Sequence, residues 1–392
     1  MRPACFDLRG LQPGYKAHLG RGLGRLCQGL AAHLPAQAGD LDLIGLIQRG
    51  LDPPGPEHLA GCDRLALPQP LPRIKGMVRL LGQEIIGPFF LRNKVGLVHF
   101  VAHLDAPAWP SVPVVVTVPD LIMARGAGRL TGGGPHRRLL RALEAQAARR
   151  ASRVLAISEH TAGEIVDYLG VSPARVRVIP LAAGREFQLV DDPKRLEAIR
   201  DRYRLTRPFF LVVGGFDPRK NLDRLVRAFG RFLRAGQKSE VDLVLAGSTA
   251  DEGQVAPTRR AIRDEGLGER VRLTGLVPDE DLPGLYSLAV ALFFPSFYEG
   301  FGLPALEAMA CGCPVAVAQA SSLPEVVGRA GLYFDPHSEE EMAQAMARLL
   351  AEEGLRGNLC SLGQAQAAGF SWERTTALTV EAYREVYAEA KS

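Results

Sequence analysis

The sequence predicts an α/β protein with two Rossmann-like domains that face each other across a cleft. Short continuous apolar runs recur along the chain, each followed by a helical pattern, as expected for parallel strands buried on both faces. These runs fall into two series, separated by a charged segment without a strand pattern. The length of 392 residues also exceeds the size at which a single hydrophobic core stops growing.

The two series of apolar runs set the domain boundaries. Those in the first half predict strands at 41–47, 97–101, 112–118, 153–157 and 176–180. Those in the second half predict strands at 208–215, 241–247, 270–275, 290–294, 314–318 and 331–334. Because the charged segment lies at 186–207, we predict an N-terminal domain at 1–187 and a C-terminal domain at 188–370. The last segment, 371–392, predicts an amphipathic helix with Ser371 as its N-cap.

Composition places the chain among ordinary globular proteins. The hydrophobic fraction of 47% and the charged fraction of 23% exclude disorder, collagen-like repeats and a disulfide scaffold. No apolar run approaches the length of a membrane span, and the first residues lack the apolar stretch of a signal peptide, so we expect a cytoplasmic protein. The six cysteines are scattered, without the spacing of a zinc site.

The charge distribution bears on partners. A net charge of +4 is too weak to indicate a nucleic-acid partner, but it is compatible with an anionic substrate or an anionic lipid surface. Between Arg129 and Arg153, arginines are concentrated on a stretch whose leucines and alanines recur at helical spacing. This stretch predicts either an ordinary solvated helix face or peripheral association with the inner face of a membrane.

The stretch FFPSFYEGFGLPALEAMACGCPVAVA, residues 293–318, predicts a diphosphate site. An apolar strand leads into a loop with Glu299, and Pro304 suits the first position of the helix that follows. Free amides at this helix start, including that of Ala305, are expected to bind phosphate, and Glu299 and Glu307 to accept hydrogen bonds from hydroxyl groups. As a loop residue, Glu299 is expected to make few core contacts. The candidate binding residues here are Gly300, Phe301, Gly302, Leu303 and Glu307.

A second stretch, VVGGFDPRKNLDRLVRAF at 212–229, predicts a clamp for a polyanion. A strand ends at a glycine pair that includes Gly215, and the loop after it carries Arg219 and Lys220. Asn221 is expected to cap the next helix with its side chain. Two cations and free amides would then meet at the carboxyl end of a strand, where a diphosphate can bind.

The Glu-x7-Glu spacing in EGFGLPALE, followed by AMACGCPV, resembles the signature of the retaining glycosyltransferases of family four, which have the two-domain GT-B fold. The resemblance covers most of residues 15–380. It implies that Glu299 holds hydroxyls of the donor sugar, that Glu307 holds the nucleotide ribose, and that Arg219 and Lys220 neutralise the diphosphate. It also implies an acceptor-binding N-terminal domain, a nucleotide-sugar-binding C-terminal domain, and a last helix that returns to the N-terminal domain.

The stretch from Gly20 to Arg25 is glycine-rich and lacks the complete G-x-G-x-x-G fingerprint of a dinucleotide site. In the resembling family, a Gly-x-Gly-Arg segment opens the N-terminal domain and closes over the donor phosphate. The resemblance therefore makes Gly22, Gly24 and Arg25 candidates for contacts with the donor.

One position departs from the family pattern. Family members commonly have His-Asp where this chain has Pro119-Asp120, and proline offers neither a proton nor a hydrogen-bond donor. His99 or His103 are the candidates to replace that histidine, the alternative being that each is satisfied in the core. The Asp-x-Asp pairs begin at Asp40, before a strand, and at Asp279, in a turn that opens a helix, so we expect no metal site.

The resemblance implies transfer of a hexose from a nucleotide-diphosphate sugar to a glycan or lipid-linked glycan, with the anomeric configuration retained and without a resident cofactor. The sequences of both motifs are most similar to those of bacterial mannosyl- or rhamnosyl-type transferases of O-antigen and exopolysaccharide synthesis. We therefore favour GDP-mannose as the donor, with a UDP-sugar left open. Two alternative functions are also open, a sugar-nucleotide epimerase of the same fold and a non-catalytic nucleotide-sugar binding protein.

Overall fold

A computed structural model describes residues 2–13, 15, 22–55, 62–68, 82–122, 135–235 and 240–390. The chain forms two compact units. The first comprises Met1–Leu181 together with Ser371–Ser392, and the second comprises Ala182–Phe370. The division therefore falls just before the charged segment, and the last helix belongs to the first unit.

The first unit contains a parallel sheet in the order β3-β2-β1-β4-β5-β6-β7. Its described strands are β1 (Ala4–Asp7), β2 (Leu43–Gln48), β3 (Asp63–Leu67), β4 (Leu97–Phe100), β5 (Val114–Val118), β6 (Arg153–Ala156) and β7 (Val176–Val178). Its helices are α1 (Gly22–Gln37), α2 (Gly87–Leu91), α3 (Pro135–Arg150), α4 (Glu159–Leu169) and the last helix, α13 (Trp372–Glu389). All residues of β1, β4, β5 and β6 are buried, as expected for strands covered on both faces.

The second unit contains a parallel sheet in the order β10-β9-β8-β11-β12-β13. Its described strands are β8 (Phe209–Val213), β9 (Asp242–Ala246), β10 (Val271–Gly275), β11 (Ala291–Phe294), β12 (Val315–Ala318) and β13 (Gly331–Phe334). Its helices are α5 (Pro193–Tyr203), α6 (Leu222–Arg234), α7 (Glu252–Asp264), α8 (Leu282–Leu288), α9 (Leu303–Ala310), α10 (Leu323–Val327), α11 (Glu339–Ala351) and α12 (Glu353–Ala368). The prediction of two parallel α/β domains is confirmed.

Strand order determines where a ligand can bind in the second unit. The order of the sheet reverses between β8 and its neighbour β11, and open parallel sheets bind ligands at the carboxyl ends of the strands at such a point. The loop after β8 carries Arg219 and Lys220, and the loop after β11 carries Glu299. The fold therefore brings the two predicted motifs to the same edge of one sheet.

Two strands of the first unit were not predicted from the sequence. β1 is an interior strand, but it has only four residues and includes an aspartate, so its apolar run is too short to stand out. β3 lies at the sheet edge and is half exposed, and its sequence DRLAL lacks a continuous apolar run. Both strands are identified by their pairing with β2, which the local pattern does not show.

Helix α13 packs on the first unit through apolar and charged contacts. The ring of Trp372 lies against Gly29 of α1. Arg153 of β6 donates to Glu385 at 2.6 Å and to Glu389 at 2.6 Å. The return of the last helix to the N-terminal domain is thus confirmed, and these contacts explain how it is held.

Replacing Gly29 by alanine should destabilise the protein. A Cβ at this position would overlap the ring of Trp372, and relieving such overpacking typically costs about 1–3 kcal/mol. The control is Gly163→Ala in α4, where no atom lies within 4 Å of the new methyl group and stability should stay equal or rise by about 0.5–1 kcal/mol. Urea unfolding of both variants measures the difference. Equal stability of the two would contradict close packing of Trp372 on α1.

Among the helices in the described ranges, none combines the length and the apolar character that crossing a bilayer requires.

Candidate functional site

The loops after β8 and β11 are bonded to each other by main-chain and side-chain groups. The amide of Phe297 donates to the carbonyl oxygen of Arg219 at 2.8 Å. The Asn221 side chain donates to the carbonyl oxygens of Pro295, at 3.1 Å, and Pro336, at 2.7 Å. The expectation that Asn221 caps α6 with its side chain is therefore wrong. Asn221 occupies the N-cap position at φ +58° without a side-chain cap, and its amide group holds neighbouring loops together.

Three charged side chains predicted from separate motifs meet at this edge of the sheet. Glu299 Oε2 lies 3.0 Å from Arg219 Nη1, and Glu299 Oε1 lies 2.7 Å from Lys220 Nζ. Asp217 adds a second carboxylate, 3.1 Å from Arg219 Nε. The Lys220 ammonium also lies 4.9 Å from the ring centroid of Phe294. Two cations and two carboxylates thus form one cluster with no net charge.

The carboxyl group of Glu299 is ionised in this cluster. The residue is 8% exposed, and burial alone would raise its pKa. The charges of Lys220 and Arg219, together with the hydrogen bond from Lys220, outweigh burial and hold the pKa of Glu299 below its ordinary value. Few core contacts are expected for Glu299 as a loop residue; its partners are polar side chains of neighbouring loops, but the residue is buried and bonded to two of them.

The loop that carries Glu299 is held by two serines that sequence reasoning did not single out. The Ser321 hydroxyl accepts from the Glu299 amide at 2.9 Å, with its own backbone at φ +50°. The buried Ser322 hydroxyl lies 2.9 Å from the carbonyl oxygen of Glu299 and 2.7 Å from that of Phe301. Both serines precede α10, and Ser322 occupies the N-cap position of that helix without a side-chain hydrogen bond to it.

Replacing Ser322 by alanine should loosen this loop. The change removes the one hydroxyl donor that the buried carbonyl oxygens of Glu299 and Phe301 share, which costs about 1–3 kcal/mol. Ser361→Ala is the matched control, because that exposed hydroxyl contacts only a carbonyl of its own helix at 3.2 Å, and it should change stability by less than about 0.5 kcal/mol. Thermal unfolding measures both, and similar values would mean that the Ser322 hydroxyl does not support the loop.

The start of α9 agrees in part with the predicted phosphate site. Gly302 is the N-cap at φ +122° without a side-chain cap, and Pro304 lies in the first turn as expected. The amide of Ala305, however, donates to the carbonyl oxygen of Gly302 at 3.0 Å, so the expectation of a free amide there is wrong. Because proline has no amide, a phosphate at this helix start would depend on the backbone before Pro304, around Gly302 and Leu303.

The other predicted residues of this motif are buried. Gly300 and Leu303 are buried, and Phe301 packs edge-on against Phe370 with ring centroids 5.9 Å apart. Glu307 is completely buried in α9, where its carboxyl group accepts from the Tyr286 hydroxyl at 3.1 Å. A ribose would reach this carboxyl group only if the surrounding structure opened, and the binding role of Glu307 stays a prediction.

The glycines after β8 allow a close approach of two strands' ends. Gly214 has φ +148°, and a Cβ at Gly247, after β9, would overlap the carbonyl oxygen of Gly214. Gly215 is exposed, with no atom within 4 Å of a Cβ built on it. The backbone at Gly215 is therefore open to a ligand.

In the first unit, Gly22 is the first residue of α1 and Gly24 is buried within it. The preceding residues Gly20 and Arg21 lie outside the described ranges. The predicted contacts of Gly22 and Gly24 with a donor phosphate stay a prediction.

His99 does not replace the missing family histidine. It is completely buried in β4, where Nδ1 lies 2.7 Å from the Tyr383 hydroxyl and Nε2 lies 2.8 Å from Thr117 Oγ1. Burial lowers the pKa of His99 to about 3, so the ring is neutral. The structure thus supports the core alternative for His99, while His103 lies after β4 in a short helical turn.

The region between Arg129 and Arg153 is only partly described. Arg129 lies outside the described residues, and the side chains of Arg137, Arg138 and Arg141 do as well. Arg153 is buried in its ion pairs with α13, so it cannot face a membrane. The described part of the chain also holds no cluster of three or more histidine, cysteine or acidic side chains placed to bind a metal.

Comparisons with known proteins cover both units. A family model described as Glycosyltransferase Family 4 matches residues 20–183, and one described as Glycosyl transferases group 1 matches residues 197–364. Serotype-specific mannosyltransferase WbdA of Escherichia coli is 35% identical over 236 residues, which are 60% of this chain and 29% of WbdA. O-antigen chain mannosyltransferase B of Escherichia coli is also 35% identical, over 60% of this chain and 61% of the relative. This chain therefore spans less than two thirds of both mannosyltransferases.

Other similar proteins extend over more of the chain. D-inositol 3-phosphate glycosyltransferase of Kribbella flavida is 31% identical over 76% of this chain and 69% of that protein. Among solved structures, sucrose-phosphate synthase of Thermosynechococcus elongatus has a TM-score of 0.77 at 24% identity, covering 99% of this chain and 100% of that one. HepE of Anabaena, in complex with UDP-glucose, has a TM-score of 0.73 at 18% identity and full coverage of both chains. The chain belongs to glycosyltransferase family 4, and its two units have the GT-B fold.

Proposed function

We propose that this chain is a retaining glycosyltransferase that moves a hexose from a nucleotide-diphosphate sugar to a glycan or lipid-linked glycan. The observation that carries the proposal is the contact of Glu299 with both Arg219 and Lys220 at the point where the strand order of the second unit reverses. Groups suited to a diphosphate and a group suited to sugar hydroxyls are adjacent there. Membership of family 4 supports the same reaction class.

The chemistry follows from the charges of the cluster. An acceptor hydroxyl attacks the anomeric carbon, the bond from that carbon to the diphosphate oxygen breaks, and its electron pair stays on the diphosphate. The acceptor proton passes to the departing phosphate oxygen on the same face, which retains the configuration. Arg219 and Lys220 stabilise the negative charge on the leaving group, and Glu299 orients the sugar by accepting from its hydroxyls.

The cluster implies an exchange of partners when a donor binds. Without a donor, Glu299 is an ion-pair partner of both Lys220 and Arg219 in a partly buried loop, and Asp217 is a second partner of Arg219. In the proposed complex, Arg219 and Lys220 pair with the diphosphate. The carboxylate of Glu299 then accepts hydrogen bonds from hydroxyls of the sugar. The two positive charges supply the stabilisation that a metal ion provides in other transferases, so we propose that the reaction is metal-independent. Transfer that persists in EDTA would support this, and its loss with recovery on adding Mg²⁺ or Mn²⁺ would contradict it.

We propose mannose, carried on GDP, as the transferred sugar. The support is the 35% identity to mannosyltransferases, while the UDP-glucose complex of HepE keeps a UDP donor as the alternative. A thermal-shift screen against GDP-, UDP-, dTDP- and ADP-sugars tests the donor, because a ligand that binds only the folded state raises the melting temperature. The expected result is the largest shift with GDP-mannose. A larger shift with a UDP-sugar would replace it.

Incubation of the protein with donor, with and without an acceptor, distinguishes the proposed transferase from an epimerase and from a binding protein. With donor alone, nuclear magnetic resonance should show no conversion to another sugar nucleotide, whereas an epimerase would produce one. With donor and a lipid-linked or glycan acceptor, the spectrum of the product should show the same anomeric configuration as the donor. Tight donor binding without transfer or hydrolysis across several acceptors would instead indicate a binding protein. That alternative is considered because Pro119 stands where family members have a histidine.

A further inference from the structure

Large apolar side chains are exposed together on the first unit. Phe89 is 80% exposed, Ile85 58%, Trp109 52% and Ile86 40%. We call these residues the exposed apolar patch. Single exposed apolar residues are common on soluble proteins, but a contiguous group of this size marks an interaction surface.

Hydrogen bonds join the two chain segments that carry the patch, residues 83–89 and residues 106–111. The amide of Ala108 donates to Glu84 Oε2 at 2.7 Å, and the amide of Trp109 donates to the same carboxyl group. The side chain of Gln83 donates to the carbonyl oxygen of Ala106 at 2.8 Å, and the Ser111 hydroxyl donates to that of Pro88. The polar groups of both segments thus bond to each other. Trp109 is fixed beside the residues that precede and begin α2.

The surroundings of the patch are basic. Arg92 and Lys94 are exposed directly after α2, with Lys94 Nζ 3.4 Å from the ring centroid of Phe90. Within the described stretch 82–94, Arg92 and Lys94 are the basic residues, and the single acidic residue, Glu84, accepts hydrogen bonds from the two amides. Apolar side chains flanked by cations suit a surface of lipid acyl chains beneath anionic headgroups. A second copy in a symmetric dimer would bring the same positive charges together, which disfavours self-association.

We propose that the exposed apolar patch docks this protein on an anionic lipid surface, with Arg92 and Lys94 facing the lipid phosphates. This surface differs from the arginine-rich helix α3, whose neighbour Arg153 is already bound in ion pairs. The docking does not depend on the transfer reaction and can be measured without donor or acceptor.

Tryptophan fluorescence of the intact chain tests the proposal without any substitution. The chain has two tryptophans, and Trp372 is only 6% exposed, so Trp109 is the one that can respond to solvent. Vesicles that contain phosphatidylglycerol should shift the emission to shorter wavelength, and added salt should reverse the shift. Vesicles of phosphatidylcholine alone should not. No shift with either vesicle, or equal shifts with both, would overturn the proposal.

Substitutions then locate the surface. Phe89→Ser should weaken cosedimentation with phosphatidylglycerol vesicles by about tenfold or more. Leu276→Ser is the matched control, because that side chain is also exposed but lies in the second unit, and it should leave binding unchanged. Urea unfolding checks that each variant is folded. If Arg150→Gln weakens vesicle binding and Phe89→Ser does not, docking takes place on α3 instead. If the protein forms a concentration-dependent dimer that Phe89→Ser abolishes, the patch is a contact between copies. Either result would overturn the proposal.

Discussion

Replacing Lys220 by alanine is expected to lower the rate constant of transfer by about 10²–10³-fold, the effect of removing one group that stabilises charge in a transition state. The Lys220 ammonium lies 2.7 Å from Glu299 and is fixed beside Phe294, so it is already positioned where the proposed diphosphate departs. Because the charge on the leaving group grows as the bond breaks, kcat should fall more than the KM for the donor rises.

The control for Lys220→Ala is Lys194→Ala, which removes an exposed lysine at the start of α5 in the same unit. Its kcat should equal that of the unchanged protein. Thermal unfolding of both variants separates loss of chemistry from loss of folded protein. A folded Lys220→Ala variant with unchanged kcat would show that Lys220 takes no part in the departure of the diphosphate.

The sequence predicts that Arg219, Lys220 and Glu299 lie close together, although they are distant in the chain. Each motif directly follows an apolar run, and those runs are β8 and β11, which are paired neighbours. Parallel strands joined by right-handed crossovers leave few arrangements, so loops after neighbouring strands meet at one edge. The sequence therefore predicts which residues meet, even though 78 positions lie between Lys220 and Glu299.

The side-chain hydrogen bonds within the site were less predictable from the sequence. They join residues that are distant in the chain, whereas the local sequence pattern indicates only bonds within the nearest helix. Asn221 and Ser322 both occupy N-cap positions, where local rules predict a bond to the following helix. Their side chains instead reach carbonyl groups in other loops. Glu307 illustrates the same point, because its partner Tyr286 comes from α8, and helical spacing does not reveal that contact.

Replacing Glu299 by glutamine or alanine is expected to lower transfer by about 10²-fold or more, because the sugar loses the acceptor group that orients it. The same change should also destabilise the fold. Removing one partner of a buried ion pair typically costs 3–5 kcal/mol, and we expect about 3 kcal/mol because Arg219 keeps some contact with water. Glu340→Gln is the control, since its pair with Arg231 is exposed and should contribute less than about 0.5 kcal/mol.

The dependence of this loss on pH identifies its origin. The pKa of Glu299 is lower in the folded protein than its ordinary value of 4.5, so the folded state holds the ionised form more strongly than the unfolded state does. The resulting stability is fully present above pH 4.5 and is lost as the pH falls through the lower folded pKa. The difference in unfolding free energy between the unchanged protein and Glu299→Gln should therefore be constant from pH 7 to about pH 5.5 and shrink below about pH 4.5. A difference that stays the same down to pH 3 would mean that the loss comes from packing and not from the charge that Glu299 shares with Arg219 and Lys220.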